Sequence, residues 1–395
     1  MKSFLSHRLL FLYLAAFITI VGYGMIFPLL PFYAQHFGAT PLQLGFLAAS
    51  FSIAQFLMAP VVGRISDRYG RKPVLITALL GTGGSFFAFG FAPSLFWLFV
   101  ARAAHGAFSS GVFPIASAYI GDSTSKEERV VYISRLTATF ALGFIVGPAV
   151  SGLLAGVSPA FPFFMAGLLA LFNAAFIFFF LKESLTRKAE NLVLKEGLVN
   201  VKAILHGFRG EFGTLFFMLF AWAFAIANLE VGFPLFAEQN LSLHEQQIGV
   251  VFAWIGTVAA FVQWVFLPMV TKRIGEIQTI IVGGISMAIG QALISYAPTM
   301  SVLFFFVSIS TLGSALLRPT VNALLSERTK EGQGTTLGLA FSFESLGRVV
   351  GPLLGGFVIN ALGIQSQFLL GAGLLLSGAL FFTKALLVER RVKHR

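Results

Sequence analysis

The stretch GRISDRYGRKPVL, residues 63–75, puts four cationic side chains and one carboxylate into a short turn between two uncharged stretches. Residues 42–62 upstream and residues 74–92 downstream contain no Asp, Glu, Lys or Arg. Each stretch is close to the roughly 20 apolar residues that a helix needs to cross the hydrocarbon of a bilayer. The sequence therefore predicts two transmembrane helices joined by a turn at a membrane surface.

Two glycines and an acidic residue distinguish this turn from a simple basic loop. Four cations alone could anchor a loop on the cytoplasmic side, but that loop would need neither Asp67 nor glycines at set positions. The pattern Gly-x-x-x-Asp-Arg-x-Gly-Arg-Lys resembles the motif between the second and third helices of the major facilitator superfamily. The resemblance implies an all-α integral membrane protein with twelve helices in two pseudo-symmetric six-helix bundles, in which the turn is a conformational gate. The matching residues are Gly63, Asp67, Arg68, Gly70, Arg71 and Lys72.

Composition places the whole chain in a bilayer. Of its 395 residues, 57% are hydrophobic and 11% are charged, which is typical of an integral membrane protein rather than a soluble protein with an anchor. The first apolar stretch lacks a small-residue cleavage site, so we expect it to remain in the mature protein. The absence of cysteine excludes disulfides and thiolate metal sites.

Charged and turn-forming interruptions divide the chain into twelve predicted spans. Lys and Arg fall almost entirely in alternate loops, which places both termini and the central loop in the cytoplasm, with the protein in the cell (inner or plasma) membrane. This bias and attraction to anionic lipids explain the formal charge of +11, so no nucleic-acid partner is expected. The spans are residues 8–33, 42–63, 74–92, 95–120, 129–157, 160–182, 212–237, 246–271, 277–297, 300–325, 333–361 and 365–388.

The two halves of the chain are related by an internal repeat. FPIASAYIGDST at residues 113–124 parallels RPTVNALLSERT at residues 318–329, a shift of 205 positions, and other matches recur at nearly the same shift. Two such halves suit alternating access, with a substrate site near the membrane midplane where the halves face each other. The predicted domains are an N-terminal bundle at 1–182, a cytoplasmic linker at 183–211 and a C-terminal bundle at 212–395.

The linker combines charged residues with apolar residues at helical spacing. It is either an amphipathic helix that regulates the transport cycle or a segment that rests on the membrane, and the second reading is favoured. The apolar residues are Leu192, Leu194, Leu198, Val201 and Leu205.

Few ionisable side chains fall inside the predicted spans, and each costs about 3 kcal/mol or more in hydrocarbon unless it is paired. We therefore treat them as candidates for proton coupling or substrate binding. Glu230 is the first, because a buried carboxyl can take up a proton on one side of the membrane and release it on the other. Its alternative role is a permanent ion pair with an arginine. The candidates are Glu230, Glu344, Arg348, Arg102, His105 and Arg318.

Glu344 and Arg348 are four residues apart, in the order that favours an ion pair within one helix. Such a pair is either structural or functional, opening when Glu344 takes up a proton or a cationic substrate competes for it. Arg318 could pair with an acidic group or contact an anionic substrate.

Arg102 and His105, in RAAHG, resemble a helix-4 motif of proton-coupled members of the superfamily, where relatives commonly carry glutamine in place of His105. This imidazole either titrates near neutral pH or stays neutral, and we expect the second.

Small residues recur in the fifth and eleventh spans. The first set resembles the antiporter-associated motif of the superfamily, with a serine in place of one glycine. Small residues allow close helix contact and proline bends a span, so we expect these helices to pack tightly across the interface of the halves. The residues are Gly143, Gly147, Pro148, Ser151, Gly152, Gly347, Gly351, Pro352, Gly355 and Gly356.

The resemblance covers essentially the whole chain and is nearest to the twelve-helix drug:proton antiporter group, the bacterial multidrug and quinolone efflux pumps. These pumps carry a glutamate in a context similar to NLEVGFPLF, here Glu230, and often an acid just before the helix-10 Arg-Pro, which this chain lacks. The resemblance implies a monomeric, proton-coupled exporter of amphipathic small molecules, driven by the proton gradient without a cofactor. Alternatives are a dedicated proton-coupled transporter of one sugar, nucleoside or lysolipid, and a passive uniporter. No enzyme is expected, because the sequence shows no nucleophile–base pair and no phosphate loop.

The gate motif also predicts two contacts. We expect Asp67 to face the amino-terminal end of the eleventh helix near Gly334, and Arg71 to reach Asp122 at the end of the fourth helix. These contacts would hold the cytoplasmic gate shut in an outward-facing state.

Overall fold

The computed structural model describes residues 2–26, 28–185, 212–329 and 333–393. All regular secondary structure in these ranges is helical, which confirms the all-α prediction. The apolar stripe of the linker, at residues 192–205, lies outside the described residues.

Eight helices lie within residues 2–26 and 28–185, the described part of the first half of the chain. Most of them end where a proline, a glycine or a charged turn interrupts the apolar sequence. They are α1 (Lys2–Ile26), α2 (Leu30–Gln35), α3 (Pro41–Tyr69), α4 (Arg71–Gly90), α5 (Leu95–Ser109), α6 (Val112–Ser123), α7 (Lys126–Ala155) and α8 (Phe161–Phe180).

Seven further helices follow in the described part of the second half, together with a five-residue π-helical segment, Val262–Phe266. That segment directly precedes Pro268, where the wider turn accommodates the missing amide hydrogen of proline. The helices are α9 (Gly213–Leu241), α10 (Glu245–Phe261), α11 (Leu267–Ile274), α12 (Glu276–Ile294), α13 (Met300–Arg328), α14 (Gln333–Leu362) and α15 (Ser366–Lys393).

Eleven helical stretches of the described residues are long and apolar enough to cross a membrane. The fourth predicted span, residues 95–120, is different, because a break at Ser110 and Gly111 divides it into α5 and α6. Pro114 cannot donate to the carbonyl of Ser110 and its ring clashes with that carbonyl, while Gly111 lowers the helix propensity at the same turn. The prediction of one continuous helix there is wrong.

The first predicted span, residues 8–33, is also more than one helix. It is interrupted around Pro28, and the chain resumes as the short helix α2, which has Pro31 in its first turn. Proline is tolerated in a first turn because its missing amide hydrogen has no partner there.

Contacts between Cα atoms divide the chain into two compact units. The first comprises Met1–Ala39, Ser50–Val199 and His244–Gly256, and the second comprises Thr40–Ala49, Asn200–Leu243 and Thr257–Arg395. The start of α3 therefore belongs to the second unit and the start of α10 to the first. Each unit is a helical bundle with its own apolar core.

The core of the first unit forms where α1, α4, α6 and α8 meet, with Leu12, Leu79 and Tyr119 among its fully buried side chains. The core of the second unit joins α9, α12, α13, α14 and α15, and it includes Met287 and Phe343. In both units the buried residues recur at helical spacing on each helix.

The outer surface of both units is also apolar. Leu153 and Trp264 are each 78% exposed and Phe179 is 75% exposed. Side chains of this size on the outside of a helical bundle are suited to contact with lipid rather than water. The structure is that of a multi-pass membrane protein.

The small residues of α7 bring it against the backbone of α1. A side chain on Gly147 would lie 2.8 Å from the Cα of Gly24, so neither helix could approach as closely with a larger residue. The Ser151 side chain adds a hydrogen bond to this contact, because its hydroxyl donates to the backbone carbonyl of Met25. Gly152 lies against Gln246, the second residue of α10, within the same unit.

Candidate functional site

Four charged side chains of the second unit converge from three helices. Arg318 on α13 donates from Nε and Nη2 to the two carboxylate oxygens of Glu344 on α14, at 2.9 and 3.0 Å. Arg348 on α14 donates from Nη1 to Oε1 of Glu230 on α9 at 3.4 Å. With two cations and two anions, this group of four, hereafter the charge cluster, is neutral as a whole.

The ion pair predicted between Glu344 and Arg348 is wrong, because Glu344 pairs with Arg318. Spacing of four residues puts two side chains on one helix face, but an arginine from a neighbouring helix offers Glu344 both of its donors in parallel, which is the stronger geometry. The alternative considered for Glu230, an ion pair with an arginine, is the arrangement that the structure shows. Arg318 pairs with an acidic group, which is one of the two roles considered for it.

Trp222 on α9 is the residue of this site that the sequence reasoning missed. The guanidinium carbons of Arg318 and Arg348 lie 5.0 and 5.7 Å from the centroid of its ring system. Its Nε1 donates to Oγ of Ser314 at 2.8 Å, which fixes the ring in place. A signal was available, since Trp222 precedes Glu230 by eight residues, about two turns, and so shares its helix face.

The two ion pairs differ in geometry and exposure. The Glu344 side chain is 6% exposed and is held through both oxygens. The Glu230 and Arg348 side chains are 20% and 33% exposed and meet at the long end of hydrogen-bond distance. The pair of Glu230 and Arg348 is therefore the one that can open at the lower energetic cost.

Glycines of α14 allow this convergence. Side chains on Gly347 and Gly351 would lie 2.5 and 2.7 Å from backbone carbonyl oxygens of Phe220 and Phe224 on α9. The two helices thus touch through their backbones on either side of Arg348, which brings its guanidinium within reach of α9. These glycines position the charge cluster.

Arg102 and His105 lie on α5 in the first unit, where aromatic rings surround them. The guanidinium carbon of Arg102 is 4.4 Å from the centroid of the Phe51 ring. The His105 ring is 4.5 Å from that of Phe86, 4.9 Å from that of Phe51 and 5.8 Å from that of Tyr23. Both residues are buried, and Nδ1 of His105 has no hydrogen-bond partner. An aromatic enclosure of this kind suits a neutral imidazole.

Arg71 is the centre of the charged turn in the first unit. It lies 2.5 Å from Asp67 and donates to Ser66 Oγ at 2.7 Å and to Asp122 at 3.1 Å. The predicted contact between Arg71 and Asp122 is therefore confirmed. The guanidinium is buried, so these partners replace the water that it has lost.

A third carboxylate, Glu183, completes the turn and was also missed. It follows α8 and accepts hydrogen bonds from the backbone amides of Arg71 and Lys72 at 3.0 and 3.1 Å. These are the first amides of α4, which lack a partner within the helix and favour a negative charge. Gly70 has a φ of 115° and lies against Glu183, so a side chain there would be strained and would displace the carboxylate.

The second half does not repeat this network. At the positions 205 residues after Asp67 and Arg71 it carries Lys272 and Glu276, so the order of the charges is reversed. Glu276 lies close to Glu327, the counterpart of Asp122. Both line a cavity of about 300 Å³.

Membrane-length helices in two bundles, with ionisable side chains held inside them, are the architecture of a secondary transporter rather than an enzyme. The Major Facilitator Superfamily profile matches residues 12–343 and again 215–395. The chain belongs to that superfamily.

Similar proteins include several named for drug resistance. Multidrug resistance protein 2 of Bacillus subtilis (strain 168) is 28% identical over 384 residues, covering 95% of each chain. Tetracycline resistance protein, class C, of Escherichia coli is 31% identical over 343 residues, covering 85% of each chain. Quinolone resistance protein NorA of Staphylococcus aureus (strain MRSA252) is 26% identical and covers 99% of this chain and 98% of its own. The chain is therefore similar over most or nearly all of its length to proteins named for resistance to drugs.

Solved structures show the same fold. The human organic anion transporter MFSD10 (TETRAN) superposes with a TM-score of 0.72 at 23% identity, over 96% of this chain and 99% of that one. The nucleoside transporter NupG superposes with a TM-score of 0.78 at 14% identity, over 95% of this chain and 98% of that one. At these identities the likeness concerns the fold.

Proposed function

We propose that this protein is a proton-coupled antiporter that exports amphipathic small molecules from the cell by alternating access. Its similarity to multidrug, tetracycline and quinolone resistance proteins supports export of such compounds. The observation that carries the proton coupling is the pairing of Glu230 with Arg348 inside a neutral charge cluster.

Charge balance explains how this cluster exchanges a proton for a cation. A proton on Glu230 and a cationic substrate beside Glu230 each give the cluster one net positive charge. A proton and a cationic substrate bound together would give the cluster two positive charges, and a double charge is energetically costly in a site of low dielectric. Proton and cation therefore exclude each other, and exclusion of one by the other is the requirement for antiport.

An anionic substrate would couple in the opposite sense. It would bind the guanidinium of Arg348 more tightly once Glu230 is protonated, so anion and proton would travel together. The sign of the pH dependence of binding therefore separates the two possibilities. For antiport of a cation, binding should tighten as the pH rises.

The charged turn supplies the conformational part of the cycle. A network of four side chains holds together the ends of α3, α4 and α6 and the chain after α8 in the first unit. Its members are Asp67, Arg71, Asp122 and Glu183. In the proposed cycle this network is intact when the cytoplasmic side is closed and rearranges when it opens. Both termini face the cytoplasm in this scheme, as the distribution of Lys and Arg predicts.

The test is Glu230→Gln in proteoliposomes with an imposed pH gradient. Glutamine keeps the size of glutamate but resembles its protonated form and does not titrate, so uphill export should cease, and binding of a cationic substrate should weaken and lose its dependence on pH. Glu238→Gln changes an exposed glutamate on the same helix and serves as the matched control. Uphill transport by Glu230→Gln at the wild-type rate would refute the assignment, and wild-type flux that ignores the proton gradient would indicate a uniporter.

A further inference from the structure

Trp222 holds two guanidinium groups of the protein itself, one in each ion pair of the charge cluster. Guanidinium is a flat, delocalised cation that stacks on aromatic faces and also donates hydrogen bonds to carboxylates. The guanidinium of Arg348 uses both properties, with Glu230 at 3.4 Å and the centre of the Trp222 ring system at 5.7 Å. The site is therefore already built for a flat cation with in-plane donors.

We infer that Trp222 determines substrate specificity, and that Arg348 occupies the position that the cationic group of a substrate takes. Resting on the proposed function, this inference assigns as preferred substrates compounds with an amidinium, a guanidinium or a similarly flat delocalised cation. Such a group replaces the Arg348 guanidinium between Glu230 and Trp222, and Arg348 moves away toward solvent.

Arg348 and not Arg318 is the exchangeable cation. The Arg318 guanidinium is held by two hydrogen bonds of 2.9 and 3.0 Å to a carboxylate that is 6% exposed, so its removal would strand a buried charge. The Glu230 side chain is 20% exposed and its bond to Arg348 is longer. Water can therefore reach the Glu230 carboxylate while its cation is exchanged, whereas it cannot reach Glu344 to the same extent.

A rounded cation should bind less tightly than a flat one at the position of the Arg348 guanidinium. A quaternary ammonium has no N–H group for the Glu230 carboxylate, and a primary ammonium keeps a strong hydration shell that the Trp222 face cannot replace. The hydrogen bond from Trp222 Nε1 to Ser314 holds the ring still, so the ring cannot turn to fit a different shape. Selectivity for flat cations follows from a ring that is fixed before the substrate arrives.

Two aromatic probes of matched size test the inference. Benzamidine carries a flat amidinium and benzyltrimethylammonium carries a tetrahedral cation. Their equilibrium binding to purified full-length protein is measured by calorimetry at one fixed pH, for the wild type and for the variants Trp222→Leu, Trp222→Phe and Arg348→Gln. The wild type should prefer benzamidine, and Trp222→Leu should reduce that preference by about 10-fold, whereas Trp222→Phe should retain part of it.

Arg348→Gln is the decisive variant, because it removes the internal competitor while Glu230 and Trp222 stay. It should bind benzamidine about 3-fold to 10-fold more tightly than the wild type, with a smaller change for benzyltrimethylammonium. Arg328→Gln, on an exposed arginine of α13, should change neither affinity. Weaker benzamidine binding by Arg348→Gln, no benzamidine binding by the wild type, or an unchanged preference in Trp222→Leu would overturn the inference.

Failure of the proposed function would have a different signature. The benzamidine titration of the wild type is therefore repeated at a second pH, and binding that is selective but independent of pH would contradict proton exchange and leave the specificity of Trp222 standing. If the Trp222 variants do not elute as folded protein, benzamidine binding by Arg348→Gln compared with the wild type still tests the inference, because that variant leaves the Trp222 ring in place.

Discussion

The partners of the Arg318–Glu344 ion pair differ in exposure, and this difference predicts unequal effects of removing each one. Arg318→Gln leaves a carboxylate that is 6% exposed without its cation, at a cost of about 3–5 kcal/mol in the free energy of unfolding. Glu344→Gln leaves a guanidinium whose side chain is 42% exposed. With allowance for solvent screening, that loss should be on the order of 1 kcal/mol.

The double variant of Arg318→Gln and Glu344→Gln removes both charges and should regain most of the lost stability.

Unfolding by sodium dodecyl sulfate in mixed micelles, followed by circular dichroism at neutral pH, measures these differences. Arg328→Gln replaces an exposed arginine on the same helix and controls for the loss of a positive charge. Equal losses in the two single variants would refute the reasoning, as would a double variant whose loss equals the sum of the single losses.

Three other substitutions should have measurable effects. Asp67→Asn should lower the turnover of transport much more than substrate affinity, and unchanged turnover at equal expression would contradict a role in gating. Gly70→Ala should destabilise the protein by more than about 1–3 kcal/mol, because overlap with Glu183 adds to backbone strain of that size. Gly38→Ala, at a φ of 73° in open space, should lose only the strain energy, and the free energies of unfolding of the two variants are compared. Gly355→Ala should lower the thermal midpoint because its methyl group would overlap Asn228, whereas Gly373→Ala, with open space around it, should not.

The fold could be predicted from the sequence because each of its signals is local. The charged turn at residues 63–75, the uncharged spans on either side and the repeat at a shift of 205 positions are visible without any knowledge of packing. Hydropathy decides which stretches enter the bilayer, and the backbone must then be helical. The break inside residues 95–120 was missed because hydropathy does not report on a Gly and Pro pair three residues apart.

The candidate site could be predicted as a set of residues but not as a set of pairs. Ionisable residues are rare in the spans, so Glu230, Arg318, Glu344 and Arg348 could be found by their chemistry alone. Which arginine meets which glutamate depends on how α9, α13 and α14 are rotated, and close backbone contacts set that rotation. A rule for residues within one helix therefore gave the wrong partner for Glu344.

Trp222 and Glu183 were missed for a related reason. Aromatic residues are common in membrane spans, so sharing a helix face with Glu230 is a weak signal for Trp222, and its position beside two guanidiniums is visible only in the structure. Glu183 accepts a hydrogen bond from the backbone amide of Arg71, which lies 112 positions earlier in the sequence. Sequence spacing carries no information about a contact of that kind.

The break at Ser110 and Gly111 makes the two halves of the protein mechanically unequal. The corresponding positions of the second half are Ala315 and Leu316, and α13 continues past Pro319 as a single helix of 29 residues. Leucine supports a helix at the turn where glycine weakens it.

A two-piece rod can bend at its joint, so the end of α6 that carries Asp122 can tilt while Arg102 and His105 on α5 stay in place. The one-piece α13 instead acts as a lever, because displacement at its Glu327 end is transmitted along a stiff rod to Arg318. One half therefore has a compliant element at this position and the other half a rigid one. Arg318 is the member of the charge cluster that lies on the rigid element, where a small movement at one end of the helix changes the distance between this arginine and the carboxylate of Glu344.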